Sequence, residues 1–349
     1  MKTSITILPE LGRFGTTILK GIYQGNTPHI SEWRTTTPNE TVTLPYQTNG
    51  IYNGIIDWGD GTQSINSYEN RTHTYATPGF HTITIYGRIR IFRFANTGDK
   101  DKLYHIFQWG SQFDIGVGGA QLYGCSNLDL SIVSDVLILY RPGQLSYTQN
   151  FANMFRDCTS LTTINRVNEW DMSKVLNMAS CFYNCIIFNQ DLNSWDVRLV
   201  NTMNQMFYGC TLFNGNISSW QTISVTDMLG MFRLAPDFNQ DISAWDTTDV
   251  TTMRGMFYGA TLFNQNIGNW NISNVDAVQT GFINFMGLKT FSDYSTANYD
   301  ALLIGWASRP VQPNQSINFG TIKRTVASTA ATLVLTSAPN NWTIVDGGI

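Results

Sequence analysis

The side chains in this sequence that could hold a metal ion are few. Asp57 and Asp60 are the main pair. Asp60 is followed by Gly61, and Asp-Gly is a dipeptide typical of tight turns. Carboxylates are the ligands that Ca²⁺ prefers, but aspartate is also an ordinary turn residue. The two residues are therefore a weak calcium candidate, and the sequence predicts no other metal site and no cofactor.

Catalytic side chains are no better assembled. The histidines stand outside any motif typical of a nucleophile or a zinc site: His29, His73, His81 and His105. An aspartate recurs in one column of a repeat, but the column also accepts glutamine and asparagine, so it requires a polar group rather than a charge: Asp171, Asp196, Gln221, Asp246 and Asn271. The sequence shows no pair of carboxylates in different environments and no glycine-rich phosphate loop. We therefore expect a protein that is not an enzyme.

The cysteines raise the question of disulfides or metal binding. Four of them fall at a repeated position that later holds Ala235 and Ala260: Cys125, Cys158, Cys185 and Cys210. A position that accepts either Cys or Ala is typical of tight packing. Cys181 takes the place of a methionine. We expect free, buried thiols, and a disulfide between adjacent repeats or a metal site is a less favoured alternative.

A repeat of twenty-five residues must position most of these side chains. Its clearest column is tryptophan: Trp170, Trp195, Trp220, Trp245 and Trp270. Valine, methionine and two phenylalanine columns keep the same register, and they begin at Val175, Met178, Phe182 and Phe188. An asparagine follows the second phenylalanine in each repeat: Asn189, Asn214, Asn239 and Asn264. A fixed period of this length indicates a stack of similar units, so these columns have a packing role to fill before any functional one.

Within one repeat, the apolar spacing predicts one helix and one short strand. Val200, Met203, Phe207 and Cys210 have the spacing of the buried stripe of a helix of about three turns. The segment from Ile217 to Trp220 alternates like a short strand. We therefore predict an α/β solenoid, a stack of right-handed coils of the leucine-rich-repeat type. The tryptophans are expected in its core, and the asparagines are expected to hydrogen-bond from coil to coil.

The segments around the repeats are predicted as separate units. Residues 28–95 alternate as strands between Gly, Asn and Pro turns, which predicts an immunoglobulin-like β-sandwich. Residues 96–285 hold the repeats, and residues 286–349 are expected to cap the last coil. Residues 1–27 are predicted to be an N-terminal arm that anchors the protein or contacts an oligomer. The alternative is that this segment is a first strand or a flexible extension.

Composition narrows the class of protein. Charged residues make up only 13% of the chain, the net charge is −4, and the Lys and Arg residues are scattered, which argues against nucleic-acid binding. No apolar run reaches the length of about eighteen residues that a membrane span needs. The first residues lack the continuous apolar stretch of a normal secretory signal.

Several segments resemble known families. WGDGT followed by HTYATPGFHTITIYG looks like a PKD-type β-sandwich. FNQDLNSWDV and VNTMNQMFYGC resemble the repeat of BspA-like bacterial surface proteins, which are relatives of the leucine-rich repeats. QWG with LYGCSNL is similar to that family's opening coil, and STANYDALLIGW and NNWTIVDGG are similar to its carboxy-terminal closure. The resemblance covers residues 28–349, and it implies a surface-displayed protein without catalytic residues, associated with adhesion and ligand binding.

Two functions stay open at this level. The first is a non-enzymatic surface protein for structure or adhesion that binds a glycan or a protein partner on a cell surface, because repeated surfaces suit repetitive ligands. The alternative is a virion structural protein, a capsid decoration, spike or fibre subunit, that docks to other virion proteins through residues 1–27. Both place the protein outside the cell, on a cell surface or a virion surface. Self-association into a homo-oligomer is compatible with either.

Overall fold

The computed structural model describes residues 26–116, 118–139, 149–276 and 281–349. In these ranges the regular secondary structure consists of fourteen short strands in five separate sheets and two α-helices. Most strands precede residue 115, and both helices follow residue 295. The chain between them is built mainly from turns.

The amino-terminal region holds ten strands: β1 His29–Thr35, β2 Glu40–Thr43, β3 Tyr46–Tyr52, β4 Ile55–Asp57, β5 Gln63–Ile65, β6 Thr72–Tyr75, β7 Gly79–Tyr86, β8 Ile89–Phe92, β9 Leu103–Gln108 and β10 Phe113–Asp114. The largest sheet is antiparallel, with strand order β5-β4-β7-β1-β9. A second sheet has the order β10-β8-β3, and a third pairs β2 with β6. Strand β10 runs parallel to β8, and this is the first parallel contact along the chain.

Alternation of side chains explains how these strands bury their core. In β1 every second residue is buried, from His29 through Trp33 to Thr35. Strand β7 supplies Ile83 and Ile85, both with no exposed surface, to the same sheet. A strand places successive side chains on opposite faces, so this pattern gives one face to the core and leaves the other half-exposed.

The remaining elements are few and short. Strands β11 Gln149–Asn150 and β12 Val175–Asn177 form one parallel pair, and β13 Ser316–Asn318 and β14 Thr343–Val345 form another. The helices are α1 Thr296–Ala307 and α2 Thr329–Thr336, and single 3₁₀ turns cover Lys100–Lys102, Val167–Glu169 and Val326–Ser328. Helix α1 begins at Ser295, whose hydroxyl accepts a hydrogen bond from the backbone N–H of Asn298. In the described part of the chain, no helix has the length and apolar character to cross a membrane.

Successive repeats in the repeat region, residues 149–276, are joined by backbone hydrogen bonds that alternate along the chain. Every second N–H in one stretch donates to a carbonyl of the next repeat: Met203 to Asp227, Gln205 to Leu229, Phe207 to Met231 and Gly209 to Arg233. The N–H groups between them close turns onto the residue three positions back, as Met206 does onto Met203. Backbone groups are thus divided between links to the next repeat and local turns, which leaves none for a helical ladder.

Left-handed backbone at two positions per repeat prevents the predicted helix. Gln205 has a φ of 53° and Gly209 a φ of 70°. The same two positions are left-handed in the neighbouring repeats, at Ser180, Asn184, Gly230, Leu234, Gly255 and Gly259. A right-handed helix requires negative φ at each residue, so the chain changes curvature before a helical turn can be completed.

The predicted fold class is therefore wrong. An α/β solenoid of leucine-rich-repeat coils requires a helix and a strand in each unit, whereas residues 149–276 contain no α-helix and mostly isolated single-residue bridges, such as Thr202 with Asp227. The PKD-type, immunoglobulin-like β-sandwich predicted before the repeats is corrected as well. Its strands are distributed over sheets of five, three and two strands.

Side chains of the same column pack against one another along the repeat region. The ring centroids of Phe182 and Phe207 lie 5.6 Å apart, and those of Phe207 and Phe232 lie 5.8 Å apart. The rings of Trp195 and Trp220 are 6.4 Å apart and differ by only 3° in orientation. The four phenylalanines of this column have no exposed surface: Phe182, Phe207, Phe232 and Phe257. Burial of such a side chain contributes roughly 1.5–3 kcal/mol, so these columns supply most of the driving force for stacking.

Candidate functional site

A column of tyrosines and arginines runs along the surface of the stacked repeats. Each member directly follows a buried apolar residue in the turn-rich stretch of its repeat, as Tyr208 follows Phe207. The members are all half-buried, and we call them the tyrosine–arginine column: Tyr123, Arg156, Tyr183, Tyr208, Arg233 and Tyr258. The column combines aromatic and cationic groups at the surface of the repeats.

Equivalent backbone hydrogen bonds hold this column in register. The carbonyl of each member accepts from the N–H of the left-handed residue in the repeat before it. These bonds are 2.7–2.8 Å long and join Gly124 to Arg156, Asp157 to Tyr183, Asn184 to Tyr208, Gly209 to Arg233 and Leu234 to Tyr258. The left-handed positions that exclude a helix therefore also fix where the column lies.

The side chains of the column stack on one another. The guanidinium of Arg156 lies 5.3 Å from the ring centre of Tyr123 and 4.2 Å from that of Tyr183. The rings of Tyr183 and Tyr208 are 4.5 Å apart and almost parallel. Arg233 lies 4.0 Å from the ring centre of Tyr258. Cation–π and ring contacts of this kind are worth roughly 0.5–1.5 kcal/mol each at partly exposed sites.

The two arginines of the column differ in their charge environment. Arg156 lies 3.7 Å from the carboxylate of Asp157 and donates a hydrogen bond to the side-chain oxygen of Asn153. Arg233 forms no salt bridge with any residue that the structure describes, and its guanidinium rests on Tyr258. The donors of Arg233 are therefore available to a ligand, whereas those of Arg156 are partly committed.

The column has one step, between Tyr208 and Arg233. Arg233 leans towards Tyr258 and packs against Gly255, where an added methyl group would lie only 3.0 Å from the Arg233 guanidinium. Within the described residues, no guanidinium covers the side of Tyr208 that faces the next repeat. Gly230 borders the same place and adds no side chain.

The Tyr183 phenol stays protonated at neutral pH. Burial raises the pKa of Tyr183, with the neighbouring Tyr208 as the second cause. A neutral phenol both donates and accepts hydrogen bonds. The outer edge of the column therefore presents a regular row of hydroxyl and guanidinium groups.

The tryptophans of the repeat lie inside rather than on this surface. Trp195, Trp220 and Trp245 are each 3% exposed, and each indole N–H donates to a carbonyl 28 residues earlier, as Trp220 does to Leu192 at 2.8 Å. Trp270 makes the same bond to Ile242, whereas the buried indole nitrogen of Trp170 has no partner among the described residues. Their faces are covered by neighbouring rings, so they offer no platform to a ligand.

The asparagine column links neighbouring repeats. The side-chain oxygen of Asn189 accepts from the N–H of Asn214, and Asn214 and Asn239 repeat the bond to the next asparagine at 2.9 and 2.8 Å. Asn264 accepts in the same way from the N–H of Ser295 at the start of α1. This column ties exposed loops together and leaves little free hydrogen-bonding capacity for a ligand.

The calcium candidates lie on one turn, and their oxygens already accept hydrogen bonds. Asp57 accepts from the N–H of Gly59 and from the Gln63 amide. Asp60 accepts from Thr62 and pairs with His73 at 2.7 Å. Hydrogen bonds from Thr62 and His73 hold the pKa of Asp60 at about 2, against the opposing effect of burial. In the described ranges, no three His, Cys, Asp or Glu residues come together as a metal site, and the calcium prediction stays a prediction.

The five cysteines are buried and unpaired. Three of the thiols donate to a carbonyl of the preceding repeat, as Cys210 does to Phe182 at 2.8 Å. Burial raises the pKa of every one of these thiols, so they stay protonated. They are packing groups and take no part in the surface column.

The recurring aspartate position forms turns. The carboxylates of Asp171, Asp196 and Asp246 each accept from the N–H two residues on, and Asn271 does the same. Beside Trp195 an open depression of about 280 Å³ contains Asp196, but Arg198 already neutralises that carboxylate at 2.7 Å. The histidines are similarly engaged, since His81 contacts Thr35 and His105 contacts Glu32.

Sequence analysis did not single out the tyrosine–arginine column. A signal was present, because the residue after the first phenylalanine column is always Tyr or Arg from Arg156 to Tyr258, and Tyr123 follows Leu122 at the equivalent position. The period aligns these residues but does not show that they lie at the surface in contact with one another. The N-terminal arm predicted for residues 1–27 lies outside the described residues, apart from its last two positions.

Comparison with known families identifies the repeats. Residues 149–235 and 191–297 match a family model described as Mycoplasma protein of unknown function, DUF285. The repeats are similar to that family. The two overlapping matches cover the stretch in which the columns are most regular. A leucine-rich-repeat or PKD-like domain receives no support from these matches. The chain matches no curated protein and no solved structure.

Proposed function

We propose that this protein is a non-enzymatic, surface-displayed adhesion protein that binds a glycan along the tyrosine–arginine column. The observation that carries the proposal is the continuity of the column. A half-buried tyrosine or arginine lies at the same position in successive repeats, with its polar group at the surface. A linear polysaccharide also repeats one set of hydroxyl groups. Weak contacts at several repeats add up when they belong to one ligand chain.

The chemistry of the column favours sugars over other ligands. Phenol hydroxyls and guanidinium N–H groups donate to sugar oxygens, and an aromatic ring packs against sugar C–H groups. The column lacks the contiguous apolar surface that is typical of a protein interface core, because its rings stack on each other. Our proposal includes extracellular display and a relationship to the BspA-like surface proteins. The family match of the repeats supports the relationship only in general terms.

The test is a glycan array probed with the full chain and with two alanine variants. Tyr208→Ala removes a column ring at the step, and Leu212→Ala removes a 44% exposed side chain from the same repeat outside the column. We expect the wild-type protein and Leu212→Ala to bind the same glycans, and Tyr208→Ala to bind them about tenfold more weakly, because each lost ring contact and hydrogen bond costs roughly 1 kcal/mol. The absence of glycan binding, or equal binding by Tyr208→Ala, contradicts the proposal.

A further inference from the structure

One depression in the repeat region is lined by polar side chains that no other repeat combines. It has a volume of about 280 Å³ and draws on the repeats that begin at Trp195 and Trp220. Its lining joins four polar residues with two buried apolar ones: Asp196, Arg198, Ser219, Gln221, Trp195 and Val197. None of these residues belongs to the tyrosine–arginine column, so the depression is a separate place on the molecule.

Asp196 and Arg198 form an ion pair that keeps hydrogen-bonding groups for a ligand. Oδ1 and Oδ2 of Asp196 accept from Nε and Nη2 of Arg198 at 2.9 and 2.7 Å. These hydrogen bonds lower the pKa of Asp196, so the carboxylate stays charged at neutral pH. Two of the five side-chain N–H donors of Arg198 go to Asp196, which leaves three without a partner among the described residues, and Oδ2 keeps a lone pair. The pair is neutral as a whole, yet it can both donate and accept.

Gln221 differs from the other residues of its repeat position, because its side chain closes no turn. The other four each accept a hydrogen bond from the N–H two residues on: Asp171, Asp196, Asp246 and Asn271. Turns of this kind are made by aspartate and asparagine, and glutamine is longer by one methylene group. In the described part of the chain, the Gln221 amide makes no hydrogen bond. It is therefore open to a ligand, and it lines the same depression as Arg198.

The size and the apolar part of the depression limit the ligand. Sites for drug-sized ligands occupy about 300–1,000 Å³, so a volume of about 280 Å³ fits a single small ring. Trp195 is 3% exposed and Val197 is 1% exposed, and both contribute apolar edges to the lining. A sugar ring has apolar C–H faces and a rim of hydroxyls, and two adjacent hydroxyls can share one guanidinium and one carboxylate. Because the ion pair is neutral, it gives a charged ligand no net attraction.

We infer that this depression binds one neutral sugar residue, with two adjacent hydroxyls on the Asp196–Arg198 pair and another hydroxyl on the Gln221 amide. The inference goes beyond the proposed function, because it concerns a different surface and holds whether or not the column binds a glycan. The sequence explains why the site occurs once among the repeats. Other repeats carry a residue without a guanidinium at the position of Arg198: Ser173, Ile223, Thr248 and Ser273.

The test measures binding of small sugars to the full-length protein. Methyl glycosides of glucose, galactose and mannose are titrated by ligand-observed NMR, together with their monodeoxy analogues and the corresponding uronic acid glycosides. We expect at least one neutral glycoside to bind with a Kd on the order of 1 mM, the strength that a ligand of this size reaches through a few contacts. Removal of one of its adjacent hydroxyls should weaken binding about fivefold to tenfold, and the uronic acid form should bind no more tightly.

Two variants take their new residues from other repeats, which keeps them compatible with the repeat structure. Arg198→Ser introduces the residue type of positions 173 and 273 and should weaken binding of the neutral glycoside at least about tenfold. Gln221→Asp introduces the residue type of position 246 and should weaken it about fivefold. The matched control is Asp246→Gln, which places a glutamine where Ile223 takes the position of Arg198, and it should change the Kd less than about twofold. Thermal unfolding of each variant shows that the protein is folded.

Several results overturn the inference. Absence of binding by all neutral glycosides does so, and so does binding that Arg198→Ser and Gln221→Asp leave unchanged. Tighter binding of the uronic acid form, or equal binding of every monodeoxy analogue, contradicts the assigned hydroxyl contacts. Binding that is lost in Tyr208→Ala but kept in both depression variants belongs to the column, so it rejects this site and leaves the proposed function standing. Binding that depends on Arg198 and Gln221, with no glycan bound through Tyr208, supports the depression and rejects the column.

Discussion

The amino-terminal sheets and the repeat region use backbone hydrogen bonds in different ways. In the five-stranded sheet, β1 pairs with β7 over seven consecutive residues, and its other edge pairs with β9. In the repeat region, N–H groups alternate between a local turn and the next repeat, and apart from the short β11–β12 pair the bridges of the described residues are single residues. The conformation of a strand is thus fixed by hydrogen bonds to neighbouring strands along its whole length, whereas the conformation of a repeat is fixed largely by its own turns.

The two regions also differ in which side chains they bury. The sheet region contains polar groups that are buried as individuals, such as His29, which is 2% exposed and stacked on Phe113. The repeat region buries mostly apolar columns and keeps its polar groups in edge columns. We therefore expect the sheet region to respond strongly to pH and the repeat region to respond strongly to lost packing.

The largest effect should come from a core ring of the repeats. Phe207→Ala removes contacts with Phe182, Phe232 and Phe213, whose ring centroid lies only 3.9 Å away. We expect a loss of about 3–5 kcal/mol in the free energy of unfolding, because the site is fully buried on all sides. Urea denaturation measures it, with exposed Leu212→Ala as the control at less than about 0.5 kcal/mol. A loss below about 1 kcal/mol for Phe207→Ala would mean that the columns do not form one packed core.

The next effect belongs to His29 in the sheet region. Burial lowers the pKa of His29 to about 4 from its ordinary 6.5, and the hydrogen bond to the Trp109 carbonyl opposes the shift only in part. The unfolded chain therefore binds a proton below pH 6.5 that the folded protein does not bind until about pH 4. Stability should fall as the pH drops through this window, by up to about 3 kcal/mol in total.

The contribution of His29 can be isolated by comparing how steeply the stability of wild type and of a His29 variant changes with pH. His29→Phe keeps a flat ring against Phe113 but cannot titrate, so the variant should lose less stability than wild type between pH 6.5 and pH 4. Denaturation midpoints at several pH values provide the measurement. Parallel pH dependence of the two proteins would assign acid sensitivity to other groups.

A moderate effect is expected from the asparagine column. The side-chain oxygen of Asn239 accepts from the N–H of Asn264 at 2.8 Å and from the Gln265 amide at 2.9 Å. Asn239→Ala leaves the N–H of Asn264 without this acceptor, whereas the Gln265 amide keeps its bond to the backbone carbonyl of residue 239, and the change should cost about 1–3 kcal/mol in the free energy of unfolding. Asp249→Ala, an exposed change in the next repeat, serves as the control and should lie within about 0.5 kcal/mol of wild type. Similar results for both variants would show that the column is solvated rather than structural.

The smallest effects test the left-handed positions. Gly230 has a φ of 57°, and a β-carbon there would meet ordinary contacts at 3.4 Å, so Gly230→Ala should cost only the backbone strain of about 1 kcal/mol. Gly209→Ala has the same strain and also places its methyl group 2.5 Å from the side-chain oxygen of Asn184. We expect Gly209→Ala to be the more destabilising of the two by about 1 kcal/mol in thermal or urea unfolding. The reverse order would mean that the Asn184 side chain does not crowd a methyl group at residue 209.

The sequence was informative about neighbours and misleading about local conformation. A period of twenty-five residues places Phe207 next to Phe232, whatever shape the chain takes between them. The spacing of Val200, Met203 and Phe207 is equally compatible with a helix and with successive turns that change hand at Gln205 and Gly209. Gln205 carries no sequence signal for left-handed backbone, so periodicity alone selected the commoner structure.

The candidate site was harder to predict than the core. Tyr208 and Arg233 lie at equivalent positions of two repeats, and the sequence shows that alignment. It does not show that Arg233 leans towards Tyr258 or that Arg156 has an aspartate beside it in space. Those properties depend on side-chain direction, which the period leaves undetermined.

The hydrogen bonds between repeats have an electrical consequence. Within each stretch that follows Met203, the linking N–H groups all donate towards the carboxy-terminal end, and the carbonyls between them accept from the amino-terminal side. Their peptide dipoles therefore add along the stacking direction instead of cancelling as they do in an ordinary sheet. This stretch of each repeat is therefore polarised, with its positive end towards the carboxy terminus, whereas links such as Thr226 to Asn201 and Leu212 to Ile186 point the opposite way elsewhere in the repeat.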